Sequence, residues 1–236
     1  MAKIMKMDMT YSEIEYVKSN INNFVEMIAQ ISKAEDFEFK QCDKEFFVFI
    51  AKHIVFLKYL YNGMGRLYFF KVIISDLYYY VLSIIKGEIR YMYLNERSII
   101  ENYTRAATHI MVEDDHVTEN TFKLIKEKKY PFKFTSDDYA LIKDEYRTSC
   151  GYIHGGNVLE DNLSFVFDEC INNKKIIKNK TNYYMRIINI IKVYDKILIS
   201  EYSDKVSGCY HRRKSLLKYL IGEECLELLF KLEEKR

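Results

Sequence analysis

Turn-forming residues are scarce in this chain, since its 236 residues include one proline, Pro131, and eight glycines. A protein built from many short strands needs a turn signal about every 8–12 residues. Glycine and proline are the strongest of those signals. Their scarcity excludes most all-β architectures and favours a mainly helical chain.

Paired cysteines and long uninterrupted apolar runs are also missing. The five cysteines form an odd, widely spaced set without a C-x-x-C pair: Cys42, Cys150, Cys170, Cys209 and Cys225. This pattern argues against a disulfide framework. The first residues lack the apolar run of a signal peptide, and charged side chains interrupt the apolar segments 46–60 and 67–85. We therefore expect a cytoplasmic protein with reduced thiols and no membrane-spanning segment.

Charge is nearly balanced, and no metal or phosphate motif is present. Lys and Arg total 36 against 34 Asp and Glu, for a net charge of +2, which by itself indicates no particular class of partner. H-E-x-x-H, P-loop and G-x-S-x-G motifs are absent. Cys209 and His211 form a single weak pair, and His53 lies in an apolar segment that is typical of a hydrogen-bonded core histidine. We expect neither a metal nor a cofactor.

Hydrophobic periodicity divides the chain into helices. Apolar residues recur at steps of three and four from Ile14 to Ile31, after a capping box formed by Thr10 and Glu13. The segments 43–61 and 66–86 are apolar on nearly all sides, as buried helices are. Further helices are predicted at 88–112, 120–128, 135–154, 181–201 and 212–235, with possible extended structure at 163–167. The predicted fold class is all-α, a single antiparallel helical bundle over residues 1–236.

The segment YRTSCGYIHGG, residues 146–156, contains the most informative pattern. Arg147 and His154 are seven residues apart, and at about 100° per residue seven steps return nearly to the starting face. Gly151 leaves room between them for a ligand or for a neighbouring helix. A guanidinium can bind phosphate, and an imidazole can transfer a proton at neutral pH, so the pair is equipped for metal-free RNA cleavage. The glycines after His154 predict a left-handed helix end.

Arg97, Glu101 and Arg105 recur every four residues on an earlier predicted helix. Two interpretations are open. The first is a solvated ladder of ion pairs, each worth roughly 0.2–0.5 kcal/mol. The second is a buried Arg and Glu that orient a neighbouring catalytic group.

Basic residues gather between 171 and 192, where six Lys or Arg occur without an acidic residue and with Tyr183 and Tyr184 among them. Such a patch can bind a nucleic-acid backbone by releasing counterions, and exposed tyrosines can stack on unpaired bases. The alternative is a solvated face balanced by acidic stretches elsewhere. The predicted RNA-binding residues are Lys174, Lys175, Lys178, Lys180 and Arg186.

The segment from Arg147 to His154 resembles the HEPN superfamily, whose signature is an Arg and a His separated by four to six residues near the end of a helix in an all-α bundle. Six residues intervene here. The segment RSIIENY at 97–103 is similar to a feature of bacterial HEPN-like proteins from abortive-infection and phage-defence settings. The resemblance covers about residues 40–200, with additional helices on both sides. Thr148 departs from the Asn, Asp or His that many active members carry after the motif Arg.

This resemblance implies a metal-independent endoribonuclease that acts as a toxin or phage-defence effector. His154 would be the general base or acid for attack of the RNA 2′-hydroxyl on phosphorus, and Arg147 would stabilise the phosphoryl oxygens. The product would carry a 2′,3′-cyclic phosphate. RNA and a second copy of the chain would be partners, and an antitoxin or other defence protein would be a further one.

The resemblance also assigns supporting roles. Arg97 and Glu101 would orient the motif residues from the neighbouring helix, and Ser149 or Tyr152 would add a hydrogen bond. A second functional interpretation stays open, in which the chain is a noncatalytic HEPN-like module that binds a partner protein, a nucleotide or RNA.

Overall fold

The structure is a computed structural model that describes residues 2–110, 117, 119–154, 177 and 179–235, with side chains from residue 11 onward. Within these ranges the chain forms ten helices and no strand. They are α1 Ala2–Ala34, α2 Gln41–Gly63, α3 Tyr68–Lys86, α4 Ile89–Thr108, α5 Glu119–Glu127, α6 Ser136–Ile153, α7 Lys180–Glu201, α8 Ser203–Cys209, α9 Lys214–Ile221 and α10 Glu223–Glu233. The predicted all-α class is confirmed.

The two central helices are α2 and α3, whose apolar sequences predicted burial. Phe46, Phe56 and Phe70 are fully buried, and the Phe46 ring stacks on Tyr184 of α7 with centroids 4.0 Å apart. Burying each such side chain contributes about 1.5–3 kcal/mol. Among the described helices, α3 alone is long and apolar enough to cross a membrane, and half of that stretch is buried inside the protein. Its buried side packs against α1, α2 and α4.

The first helix begins earlier than its sequence predicts. It starts at Ala2, so Thr10 lies inside α1 and the predicted capping box there is wrong. The upstream residues are mostly Ala, Lys and Met, which are strong helix formers, and the helix continues through them. The predicted apolar stripe is confirmed, since Val17, Ile21 and Ile28 are buried in the core.

The C-terminal region contains a break that amphipathic periodicity does not reveal. The single helix predicted at 212–235 is wrong, because Gly222 adopts a φ of +91° between α9 and α10. Residues with a Cβ rarely adopt that conformation, whereas glycine adopts it readily. The two short helices pack on α2 and α7 respectively, and Leu217 and Leu229 are buried there.

The short helix α8 was not predicted, and the other helix bounds lie close to the predictions. Thr135 caps α6, since its Oγ1 accepts from the Asp138 backbone N–H at 3.1 Å and Asp138 Oδ2 accepts from the Thr135 N–H at 2.8 Å. The predicted helix at 88–112 ends earlier, because His109 adopts a left-handed φ of 56° after Thr108. The glycine cap predicted at 155–156 and the extended segment predicted at 163–167 lie outside the described residues.

A buried pair joins α2 to α7. The His53 Nε2 lies 2.7 Å from Asp195 Oδ2, and His53 Nδ1–H donates to the Phe49 carbonyl oxygen at 2.8 Å. Both side chains are almost fully buried. The expectation that His53 is a hydrogen-bonded core histidine is confirmed.

Candidate functional site

The C-terminal end of α6 packs against the first half of α4, and this contact brings the two predicted motifs together. Arg90 donates from Nη2 to the Ile153 carbonyl oxygen at 3.1 Å. The rings of Tyr93 and Tyr152 stack with centroids 4.0 Å apart and planes 13° from parallel. These two contacts hold the last turn of α6, so that the next residue, His154, lies beside α4.

Arg97 is the residue that connects the motifs. Its Nε–H donates to Glu101 Oε1 at 2.8 Å, and its Nη1–H donates to His154 Nε2 at 3.2 Å. Tyr146 of α6 donates its hydroxyl to the same Glu101 oxygen at 2.9 Å. The side chains of Arg97 and Glu101 are only 28% and 16% exposed. Arg97 and Glu101 therefore form a partly buried ion pair that contacts His154, and the orientation of a catalytic group by this pair stays a prediction.

The hydrogen bond from Arg97 selects one tautomer of the His154 imidazole. A guanidinium can only donate, so Nε2 must accept with its lone pair and the ring proton must lie on Nδ1. His154 is exposed at the C-cap of α6, where its backbone N–H donates to the Cys150 carbonyl at 3.0 Å. The site therefore presents to solvent an imidazole that is anchored by Arg97.

Arg147 lies on the outer surface of α6. Its side chain is 65% exposed, and its Nη1 is 3.6 Å from Asp144 Oδ1. An exposed pair of this kind contributes about 0–1 kcal/mol and leaves the guanidinium free to exchange partners. A Cβ placed on Gly151 would meet nothing within 4 Å. Among the described residues, no helix makes the close approach at Gly151 that was one of the two possibilities the sequence left open.

The two supporting residues face in different directions. Tyr152 is half exposed and lies on the Tyr93 ring. Ser149 is fully buried on the inner side of α6, where its hydroxyl donates to Glu96 Oε1 at 2.5 Å. Any contribution of Ser149 therefore passes through α4 and not through contact with a ligand on the outer face.

The predicted RNA-binding cations are only partly described. Lys174, Lys175 and Lys178 lie outside the described residues. The Lys180 side chain is 13% exposed, and its ammonium group lies 3.0 Å from the Glu38 carbonyl oxygen and 3.3 Å from Asp43 Oδ2. Lys180 is thus a structural cation at the start of α7, and RNA contact by it stays a prediction.

Arg186 also has a carboxylate partner, and the nearby tyrosines are not exposed. Its Nε and Nη2 donate to the two oxygens of Glu145 at 2.8 and 3.2 Å. Tyr183 and Tyr184 are buried, which corrects the expectation that they could stack on bases. They follow the helical period of the buried α7 residues, and that inward stripe determines their position.

A buried carboxyl pair was missed by sequence reasoning. Glu96 and Glu145 are both almost fully buried, and Tyr183 and Ser149 donate their hydroxyls to the two oxygens of Glu96. Burial and the neighbouring Glu145 raise the pKa of Glu96 to about 8, against the two hydroxyl donors, which favour the ionised form. The available signal was position, since Glu96 falls three residues after Tyr93, on the inward stripe of α4.

Within the described ranges, no group of three or more His, Cys, Asp or Glu side chains is arranged to hold a metal ion. A groove of about 430 Å³ lies between α1, α2 and α3, and neither Arg147 nor His154 lines it.

Comparison with protein-family models, curated proteins and solved structures finds no match. Any assignment of function therefore depends on the chemistry of the residues themselves.

The tautomer of His154 is the first testable consequence. At alkaline pH the imidazole ¹⁵N signals of the wild type should show the proton on Nδ1, because Arg97 occupies Nε2. Arg97→Ala should shift the proton toward Nε2, whereas Arg147→Ala should leave it on Nδ1. A wild-type spectrum with the proton on Nε2 would mean that Arg97 does not anchor this ring.

Proposed function

We propose that this protein is a HEPN-like, metal-independent endoribonuclease that acts in the cytoplasm as a toxin or phage-defence effector. The observation that carries the proposal is the position of Arg97 between Glu101 and His154. It joins two motifs that lie 57 residues apart in the sequence, as the family resemblance implied. The exposed guanidinium of Arg147, which lies seven residues before His154 on α6, supplies a cation for phosphate.

The proposed reaction is attack of the RNA 2′-hydroxyl oxygen on the adjacent phosphorus. The new O2′–P bond forms as the P–O5′ bond breaks, giving a 2′,3′-cyclic phosphate and a 5′-hydroxyl. A base must take the 2′-hydroxyl proton, and an acid must protonate the leaving O5′. Arg147 would stabilise the negative charge on the non-bridging phosphoryl oxygens.

His154 can serve in either proton-transfer role. Its Nδ1–H is a donor for the leaving oxygen in the tautomer that Arg97 selects. Its Nε2 lone pair becomes a base when Arg97 turns from the imidazole toward a bound phosphate, which is the stronger acceptor for a guanidinium. Each chain supplies one His154, so a second copy would provide the complementary group.

The surface around the motif is suited to such a second copy. Tyr91 and Leu94 on α4 and Tyr152 on α6 are large side chains that expose about half of their surface. Exposed apolar groups next to polar ones are typical of protein interfaces. A homodimer formed through this surface would bring two motifs together, and an antitoxin could cover the same face.

A noncatalytic module is the second candidate, and one observation favours it. The lone pair that a general base needs is occupied by Arg97 in this state. In that interpretation Arg147 and His154 are ligand contacts for a partner protein, a nucleotide or RNA.

Expression in a bacterial host separates the two candidates. Induction of the wild type should slow growth and fragment cellular RNA, and His154→Ala should relieve both effects at equal protein level. Lys231→Ala, which removes an exposed cation from α10, is the matched control and should remain toxic. Normal growth and intact RNA with the wild type would favour the noncatalytic module.

A further inference from the structure

Two carboxyl groups are buried on the inner side of α6, the helix that carries Arg147, where α4, α6 and α7 meet. Glu96 of α4 and Glu145 of α6 are 2% and 4% exposed. Glu96 accepts a hydrogen bond from Ser149, which lies between Arg147 and His154 in the sequence. The carboxyl pair is therefore part of the attachment of α6 to α4.

The charges around the pair do not balance if both carboxyls are ionised. Arg186 of α7 forms two hydrogen bonds with Glu145 and neutralises one negative charge. Among the described residues, the other groups that face Glu96 are hydroxyls, from Tyr80 of α3, Tyr93 of α4, Ser149 of α6 and Tyr183 of α7. An uncompensated buried charge is strongly destabilising, so retention of one proton is the favourable arrangement.

We propose that Glu96 is a positioning residue that holds α6 to α4. It does so as a protonated carboxyl group that shares its proton with Glu145. In this form Glu96 donates its own proton to Glu145 while its oxygens accept from Ser149 and Tyr183. Loss of the proton places a second negative charge beside Glu145 and weakens the contact of α6 with α4. The positioning of His154 then depends on pH. A matching pH dependence of RNA cleavage rests on the proposed function.

The pKa of Glu96 is raised, which agrees with the excess of negative charge that two ionised carboxyls would create. Because the pKa of Glu96 is raised to about 8 in the folded protein, the native state holds a proton that the unfolded chain releases at its ordinary value, about 4.3. Stability from this proton is fully present below the unfolded pKa and is lost as pH rises through the folded pKa. The free energy of unfolding should therefore fall as pH rises toward 8.

Glu96→Gln provides the sharpest variant. Glutamine has the shape of a protonated glutamate, and its amide N–H can donate to Glu145 at every pH. The Tyr183 and Tyr80 hydroxyl oxygens are 2.5 Å apart and either can donate, so Tyr183 can turn to accommodate the amide. The variant keeps the helix contact and removes the titration.

The test is urea unfolding of the full chain between pH 6 and pH 9. The unfolding equilibrium constant of the wild type should rise as pH approaches 8. The rise can be at most tenfold per pH unit, which is the limit for the release of one proton. Glu96→Gln should lose this dependence, whereas the exposed control Glu227→Gln should keep it. An unchanged pH slope in Glu96→Gln would overturn the proposal.

Infrared spectroscopy of the wild type gives a readout that does not depend on the variant folding. The C=O stretch of a protonated carboxyl should be present at pH 7 and lost above pH 9, and its absence at pH 7 would overturn the proposal. If the protein cleaves RNA, Glu96→Gln should also extend cleavage to higher pH. Failure of RNA cleavage alone would count against the proposed function and not against the proton held by Glu96.

Discussion

Replacement of His154 by Ala should reduce the rate of RNA cleavage by roughly 10²- to 10⁴-fold, the usual contribution of a general acid or base. The imidazole is exposed at the end of α6, so its loss removes no core packing. Arg97 keeps its hydrogen bond to Glu101, so its partly buried guanidinium is not left without a partner. The free energy of unfolding should change by less than about 0.5 kcal/mol, as for most surface substitutions.

His211→Ala is the matched control, because it removes an exposed histidine outside the site. Its cleavage rate should equal that of the wild type. Full activity in His154→Ala, measured on a protein with unchanged stability, would remove His154 from the mechanism.

Replacement of Asp195 by Ala should destabilise the fold by about 3–5 kcal/mol, the usual cost of removing one partner from a buried pair. The substitution leaves His53 Nε2 without its partner in a fully buried environment. Asp195 Oδ1 already lacks a hydrogen-bond partner among the described residues, so the pair is held by one contact. A loss of this size is a large share of a typical stability of about 5–15 kcal/mol.

The double variant His53→Leu and Asp195→Leu tests whether the cost comes from the unpaired polar group. Replacing a buried pair with apolar residues of similar size is often neutral or stabilising, so the double variant should be more stable than Asp195→Ala. Urea unfolding measures both. A cost below about 1 kcal/mol for Asp195→Ala would show that the pair contributes little to the fold.

Helix positions were largely predictable, because apolar periodicity is a local property of the sequence. The long apolar helices α2 and α3 follow from that pattern, and the cap of α6 follows from the residue types at Thr135 and Asp138. The break at Gly222 was not predicted, since the periodic leucines continue through it and only the glycine marks the turn.

The site was less predictable, because periodicity shows which residues share a helical face but not which other helix packs against that face. The spacing of Arg97 and Glu101 places them on one face, and the contact with His154 was expected only from the family resemblance. The local density of positive charge predicted least about which side chains are available to a ligand. Lys180 and Arg186 were selected as free cations, yet each has a buried carboxylate partner that lies far away in the sequence.

The most direct test of the proposed reaction is the chemistry of the RNA ends that the purified protein produces in EDTA. The account predicts fragments with a 5′-hydroxyl and a 2′,3′-cyclic phosphate from the wild type, and no fragments from Arg147→Ala or His154→Ala. Fragments with 5′-phosphates, cleavage that stops on chelation, or equal cleavage by either variant would contradict a metal-independent reaction at Arg147 and His154.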